Sequence, residues 1–160
     1  MSITKSSIGQ DSHAFEPEDS KKPLILGGIK IDGVPGMKAN SDGDVVLHAV
    51  TNCVSGITGR NILGKIADDM CKSGITNSKY YLAEALKALP SHAKIVHLSV
   101  SVECLRPKLA KHIEEMRQSL SALLNMDVAN VCITATSGEG LTAFGQGLGI
   151  SVFAVLTVEI

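Results

Sequence analysis

The amino-acid sequence predicts an α+β protein, a two-layer α/β sandwich in which one mixed β-sheet carries helices on one face. Apolar residues at helical spacing mark long helices, as in Leu109, Ile113, Met116, Leu120, Leu123 and Leu124. Strands are marked by apolar runs rich in β-branched residues, as in Ile95, Val96, Leu98, Val100 and Val102 and again in Ile150–Thr157. Nothing between these runs is composed like a linker, so residues 1–160 read as one domain, long enough to bury a real core.

In chain order, Ser7–Phe15 reads as a first strand. Leu24–Leu26 and Ile29–Ile31 flank Gly27-Gly28 and read as a hairpin with a tight turn. Asp32–Asn40, with Gly33, Pro35 and Gly36, is a loop. Ser41 or Asp42 can cap a helix running to about Val54, with Val46, Val50, Cys53 and Ile57 as its apolar stripe. Gly56–Asn77 reads as an irregular, mobile surface loop with at most short helical turns. Ser78 caps the next helix, which carries Tyr81, Leu82, Ala85, Leu86 and Leu89 and ends at Pro90. The strand Ala93–Cys104 follows. Pro107 suits the first turn of a helix over Lys108–Leu124. Val128–Ala135, a glycine-rich loop and Ile150–Thr157 complete the chain.

Composition excludes several functions. The chain is 44% hydrophobic and 19% charged, which is ordinary for a globular protein. A net charge of −1 offers no electrostatic basis for binding nucleic acid or an acidic membrane surface. Three Phe, two Tyr and no Trp leave no aromatic platform for stacking bases. Cys53, Cys71, Cys104 and Cys132 contain no C-x-x-C pair, so they read as small buried thiols of a reducing compartment. The opening residues lack an apolar core of signal-peptide length. Gly140–Val158 is uncharged and about as long as a membrane span. Its glycines and hydroxyls mark it instead as a loop and a buried strand. A cytoplasmic protein is expected, with no membrane or nucleic-acid partner.

Three constellations carry chemistry. Asp11 and His13 are two apart in a strand and so project from one face. If His48 joins them from the following helix, one carboxylate and two imidazoles form a Zn²⁺ set with a fourth position free. The competing reading of His48 is a core histidine bonded to backbone. Asp44 and Asn52, one turn to either side, are placed to orient its ring. The second constellation is Thr134-Ala135-Thr136-Ser137-Gly138-Glu139-Gly140, whose amides and hydroxyls can cradle phosphate and whose carboxylate can reach phosphate through a divalent cation; taken alone, a polar turn between two strands is the simpler reading. The third is Arg106-Pro107-Lys108 at a strand-to-helix junction, either an anion site or plain helix punctuation. His92, His97 and His112 show no ligand spacing, and Asp68-Asp69 reads as a solvated loop unless substrate closes it.

Together these segments resemble the 2-C-methyl-D-erythritol 2,4-cyclodiphosphate synthase family of the non-mevalonate isoprenoid pathway. The resemblance runs through Gly9–Phe15, Pro23–Ile31, the block Ser41-Asp42-Gly43-Asp44-Val45-Val46-Leu47-His48-Ala49, Arg106–Lys108, His112-Ile113, Met116-Arg117 and Thr136–Gly149. It implies a homotrimer with active sites between subunits. It implies Zn²⁺, or another divalent cation, on Asp11, His13 and His48, and Mg²⁺ or Mn²⁺ associated with Glu139 and the substrate diphosphate. The implied reaction converts 4-diphosphocytidyl-2-C-methyl-D-erythritol 2-phosphate to the cyclodiphosphate with release of CMP. The implied substrate contacts are Asp11, His13, Asn40, Ser41, Ile62, Gly64, Asp69, Cys104, Arg106, Pro107, Lys108, Thr136, Ser137 and Glu139, with Asn40 and Ser137 in catalytic positions. Some residues depart from the family pattern. Asn40 stands for a usual His, and Ser137 for a usual Thr. Ile62-Leu63-Gly64 with Ala67-Asp68-Asp69 stands for Asp-Ile-Gly with Phe-Pro-Asp, and Gln146 for an Arg. Phe144 is shifted by one position. Two alternatives share the fold: a non-catalytic trimer that binds isoprenoid diphosphates, and a zinc phosphoesterase using water as nucleophile.

Overall fold

A computed structural model describes residues 3–160; Met1 and Ser2, the start of the segment read as lacking a leader, lie outside it. Six strands and four helices follow one another as β1 (Thr4–Ala14), β2 (Pro23–Leu26), β3 (Ile29–Pro35), α1 (Val45–Thr58), α2 (Lys65–Lys72), α3 (Ser78–Leu86), β4 (Lys94–Glu103), α4 (Ile113–Leu124), β5 (Val131–Thr136) and β6 (Gly149–Glu159). The main sheet is mixed, in the order β1-β6-β4-β5. β6 runs antiparallel to both β1 and β4, and β4 runs parallel to β5. The β2–β3 hairpin forms its own two-stranded sheet.

Helices cover one face of the main sheet. Alternation along β6 places Val152, Ala154, Leu156 and Val158 in the core and leaves Phe153 and Val155 outside. Helix α1 lies directly on β1 because position 9 is glycine. A Cβ there would come within 1.9 Å of the Ala49 carbonyl and 2.8 Å of the Cys53 amide. On the same helix the Cys53 thiol reaches the Ala154 carbonyl of β6 at 3.3 Å. The opposite face of the sheet is open, and Ile8, Phe153 and Val155 stand exposed on it.

Several expected boundaries move, each for a local reason. The cap of α1 is Asp44, not Ser41 or Asp42, because the Asp44 carboxylate accepts the Leu47 amide at 2.9 Å. The helix continues past Val54 to Thr58 and closes on Gly59 in the left-handed region. Residues 56–77 contain a true helix, α2, of which only Ala67 is buried, so no apolar stripe announces it. Asn77 rather than Ser78 caps α3, with its side chain accepting the Lys79 amide. Helix α4 begins at Ile113, not Lys108. The segment before it is a turn in which the buried Leu109 offers its carbonyl to the amides of both His112 and Ile113. Val128–Asn130 is a 3₁₀ turn ahead of β5, capped by Asp127. The thiols divide: Cys53 and Cys104 are buried, whereas Cys71 is half-buried and Cys132 exposed on the outer side of β5. No helix among the described residues is long and apolar enough to cross a membrane.

Candidate metal centre and phosphate site

Strand β1 and helix α1 bring the first constellation together. Asp11 Oδ2 lies 3.0 Å from His13 Nε2 and 2.9 Å from His48 Nδ1, and the two ring nitrogens are 3.2 Å apart. Asp11 and His13 share the helix-facing side of β1, and His48 is buried on α1 opposite them. Three ligands on a tetrahedral ion with bonds of about 2.0 Å stand about 3.3 Å apart. The observed donors need separate by only a few tenths of an ångström to take Zn²⁺. One carboxylate oxygen and two imidazole nitrogens suit that ion and leave one position for an exogenous ligand.

The electrostatics favour the same use. Burial alone would push the Asp11 carboxyl up, but hydrogen bonds with His13 and His48, together with their charge, hold it well below the usual carboxylate range. The hydrogen bond with Asp11 raises His13 in turn, against the opposing effect of burial. The triad opens onto a cavity of about 830 Å³ whose walls include Lys38, Asn40, Ser41, Gly64, Asp68 and Cys71.

The flanking residues on α1 do other work than expected. Asp44 does not touch the His48 ring; its oxygens accept the amides of Gly27 at 2.9 Å and Gly28 at 2.6 Å, tying the hairpin turn to the start of the helix. Asn52 donates to the Gln10 carbonyl at 3.1 Å. The partner of His48 Nε2 is Ser78 Oγ at 2.8 Å, and Ser78 in turn donates to Asp42 Oδ1 at 2.5 Å. Sequence reasoning treated both Ser78 and Asp42 only as helix caps. A serine first in a helix carries no spacing signal toward a histidine 30 residues before it.

The second and third constellations meet each other at the far edge of the sheet. The Cys104 amide donates to the Thr136 carbonyl at 3.0 Å, and the Leu105 amide to the Phe144 carbonyl at 3.1 Å. Within the turn, Thr136 Oγ1 accepts the Gly138 amide at 3.2 Å and Ser137 Oγ the Glu139 amide at 3.4 Å. Glu139 is exposed and sits at φ +51°, a left-handed conformation that costs a non-glycine residue on the order of 1 kcal/mol. Glu103, a further residue the sequence reading did not single out, accepts a hydrogen bond from Thr142 and so braces this turn. Arg106 pairs with Glu18 at 2.5 Å and lies over the Phe15 ring, 4.8 Å from its centre. Lys108 is exposed and Cys104 buried.

Not every expected contact residue faces the cavity. Asn40, Ser41 and Gly64 line it, whereas Ile62 is fully buried in the core and Asp69 pairs with Lys65 at 2.6 Å on the surface of α2. The residues at Cys104–Lys108 and Thr136–Glu139 do not line it either. Asp11 pairs across to Val152, Val152 to Val102, and Val102 to Ala135. The two groups therefore lie at one end of the sheet but on opposite edge strands, about 14 Å apart at ordinary strand spacing.

Fold and site thus define an α+β protein with a carboxylate–imidazole cluster that could hold a metal ion on one sheet edge and a hydroxyl-rich turn on the other. The chain belongs to the YgbB family, whose sequence model matches residues 4–159. It is 50% identical over 157 residues to the 2-C-methyl-D-erythritol 2,4-cyclodiphosphate synthase of Chlamydia muridarum, covering 98% of this chain and 88% of that one. Among solved structures it resembles the bifunctional IspDF of Campylobacter jejuni, with a TM-score of 0.88 and 26% identity. That match covers 99% of this chain and 43% of the other, so this chain corresponds to less than half of that protein. It also resembles a 2C-methyl-D-erythritol-2,4-cyclodiphosphate synthase in a CDP-bound form, with a TM-score of 0.75 and 26% identity over 95% of this chain and 98% of that one.

Proposed function

We propose that this chain is a metal-dependent cyclodiphosphate synthase acting on 4-diphosphocytidyl-2-C-methyl-D-erythritol 2-phosphate. The observation that carries the reading is the convergence of Asp11, His13 and His48 within 2.9–3.2 Å of one another at the wall of an open cavity. In the reaction an oxygen of the 2-phosphate attacks the β-phosphorus. A P–O bond forms, the bond from that phosphorus to the bridging oxygen breaks, and CMP leaves with the electron pair. The product is the 2,4-cyclodiphosphate. No protein nucleophile is needed, because phosphoryl transfer asks mainly for positioning and neutralisation of charge.

The residues divide that work. Asp11, His13 and His48 hold Zn²⁺, which supplies Lewis-acid polarisation of phosphoryl oxygens when bound. Asn40, Ser41 and Gly64 line the space beside it and position the erythritol phosphate. Thr136 and Ser137 donate hydroxyl hydrogen bonds to the diphosphate, Ser137 at the reacting phosphorus, and Glu139 holds a second divalent ion, Mg²⁺ or Mn²⁺. Cys104, Arg106, Pro107 and Lys108 flank that turn and take the cytidine, in keeping with the CDP named for the structural relative. Ile62 and Asp69 act only indirectly, one by packing and the other from the surface of α2. Because the two half-sites stand on opposite sheet edges, each active site joins the metal centre of one copy to the turn of another, in a homotrimer.

The test is direct. Purified protein is expected to carry about one Zn²⁺ per chain. With added Mg²⁺ it should release CMP in step with a cyclic diphosphate seen by phosphorus NMR. Full metal loading without CMP release overturns the reading, and release of inorganic phosphate from simple phosphoesters instead would establish the phosphoesterase.

A further inference from the structure

We propose that Ser78 and Asp42 are positioning residues that dictate which nitrogen of His48 the metal receives. The inference rests on the metal reading above and concerns the shell behind it. Ser78 is fully buried at the first turn of α3. Its hydroxyl has one proton, and two groups compete for it: Asp42 Oδ1 at 2.5 Å and His48 Nε2 at 2.8 Å. A carboxylate can only accept, so the proton goes to Asp42. The Ser78 oxygen is then left as an acceptor toward His48, and Nε2 must be the donor. A neutral imidazole with its proton on Nε2 carries its lone pair on Nδ1. Nδ1 is the atom that faces Asp11 Oδ2 at 2.9 Å and His13 Nε2 at 3.2 Å.

The relay is itself anchored. Asp42 also accepts the backbone amides of Ser78 at 3.0 Å and Asp44 at 3.1 Å. The loop before α1 and the start of α3 are thereby clamped together, and a single carboxylate sets both the position and the polarity of the serine. Ser41 is a poor substitute: its oxygen lies 3.5 Å from His48 Nε2 and already accepts the Gly43 amide.

Polarity makes the proposal testable. Asp42→Ala removes both acceptors, Oδ1, which takes the Ser78 hydroxyl and the Asp44 amide, and Oδ2, which takes the Ser78 amide. The hydroxyl proton then turns to His48 Nε2 and the imidazole proton moves to Nδ1, where it blocks the metal. Zn²⁺ affinity, read on the full chain by competition with a chromophoric chelator, is expected to fall about 10- to 100-fold in Asp42→Ala and Ser78→Ala. Ser78→Thr, which keeps the hydroxyl, should recover most of the loss. Nitrogen-15 NMR of the zinc-loaded wild-type protein should show the His48 proton on Nε2, and this measurement decides the matter even if a variant fails to fold. Wild-type affinity in Asp42→Ala and Ser78→Ala, with only the metal-free melting temperature lowered, would overturn the proposal. So would a zinc-loaded wild type with its His48 proton on Nδ1. A wild-type chain that takes up no Zn²⁺ overturns the metal reading as well, and is told apart because it needs no substitution to appear.

Discussion

Asp11 is where burial and two imidazoles pull in opposite directions, and the imidazoles win. A carboxylate held ionised beside His13, which it helps to charge, is a site with a proton that a cation can replace. Asp11→Asn keeps the shape and removes the anion, so Zn²⁺ affinity should drop by more than about 100-fold, beyond the range of changes behind the ligands. Since His13 must give up its proton to bind and its pKa is raised, affinity should also weaken steadily as pH falls toward the ordinary imidazole value of 6.5, the loss setting in above it. A chelator competition series from pH 8 to pH 6 measures both; a pH-independent affinity would remove His13 from the ligand set. The clustering of Asp11 with His13 could be read from sequence, because a period of two in a strand places them on one face whatever surrounds them. The residues behind them could not. Helical spacing puts Asp44 and Asn52 near His48, yet the amides of Gly27 and Gly28 and the carbonyl of Gln10 claim those side chains first.

At the scale of elements, strands β4 and β6 were visible as apolar runs rich in β-branched residues, and the hairpin by its Gly27-Gly28 turn. Helix α2 was not, since one buried alanine leaves no stripe to read, and a Lys65–Asp69 pair on its surface says nothing about packing. The start of α4 was misplaced because proline suits a first helical turn but does not require one, and burial of Leu109 holds the chain in a turn instead. Asp44 joins two elements, capping α1 and pinning the β2–β3 turn. Asp44→Ala removes a cap and strands buried amides, and should cost about 2–3 kcal/mol in urea unfolding. Burial pushes the Asp44 carboxyl up to about 6, with the charge of Asp42 adding to it, against the pull of the Leu47, Gly28 and Gly27 amides. A carboxyl that holds its proton more tightly when folded adds stability that is complete below its unfolded value of 3.8 and is lost as pH rises through about 6. The stability advantage of wild type over Asp44→Asn, which cannot titrate, should therefore shrink between pH 4 and pH 7. A constant difference would mean that the three amides keep the carboxylate ionised throughout.

For the whole molecule the open face of the sheet is the decisive feature. Ile8 pairs with Val155 and lies next to the Gln10–Phe153 pair, so the exposed apolar side chains of β1 and β6 form one patch on the face without helices. In the proposed homotrimer a second copy of the chain covers that patch and brings its Thr136–Glu139 turn toward the Asp11, His13 and His48 cluster, which the chain's own turn, three strands away, does not reach. Phe153→Glu should then reduce the mass in solution from three chains to one and abolish CMP release, while leaving Zn²⁺ affinity intact because all three ligands belong to one chain. Mixing inactive variants tests the shared site more sharply. Asp11→Asn spoils only the metal half and Glu139→Ala only the turn half. If each site draws on two copies, mixed trimers regain activity at roughly one site in four under random exchange. The working sites combine Asp11 from a chain carrying Glu139→Ala with Glu139 from a chain carrying Asp11→Asn. If both halves came from the same chain, every site would carry one lesion, and mixing would restore nothing even where mass spectrometry shows that the subunits have exchanged.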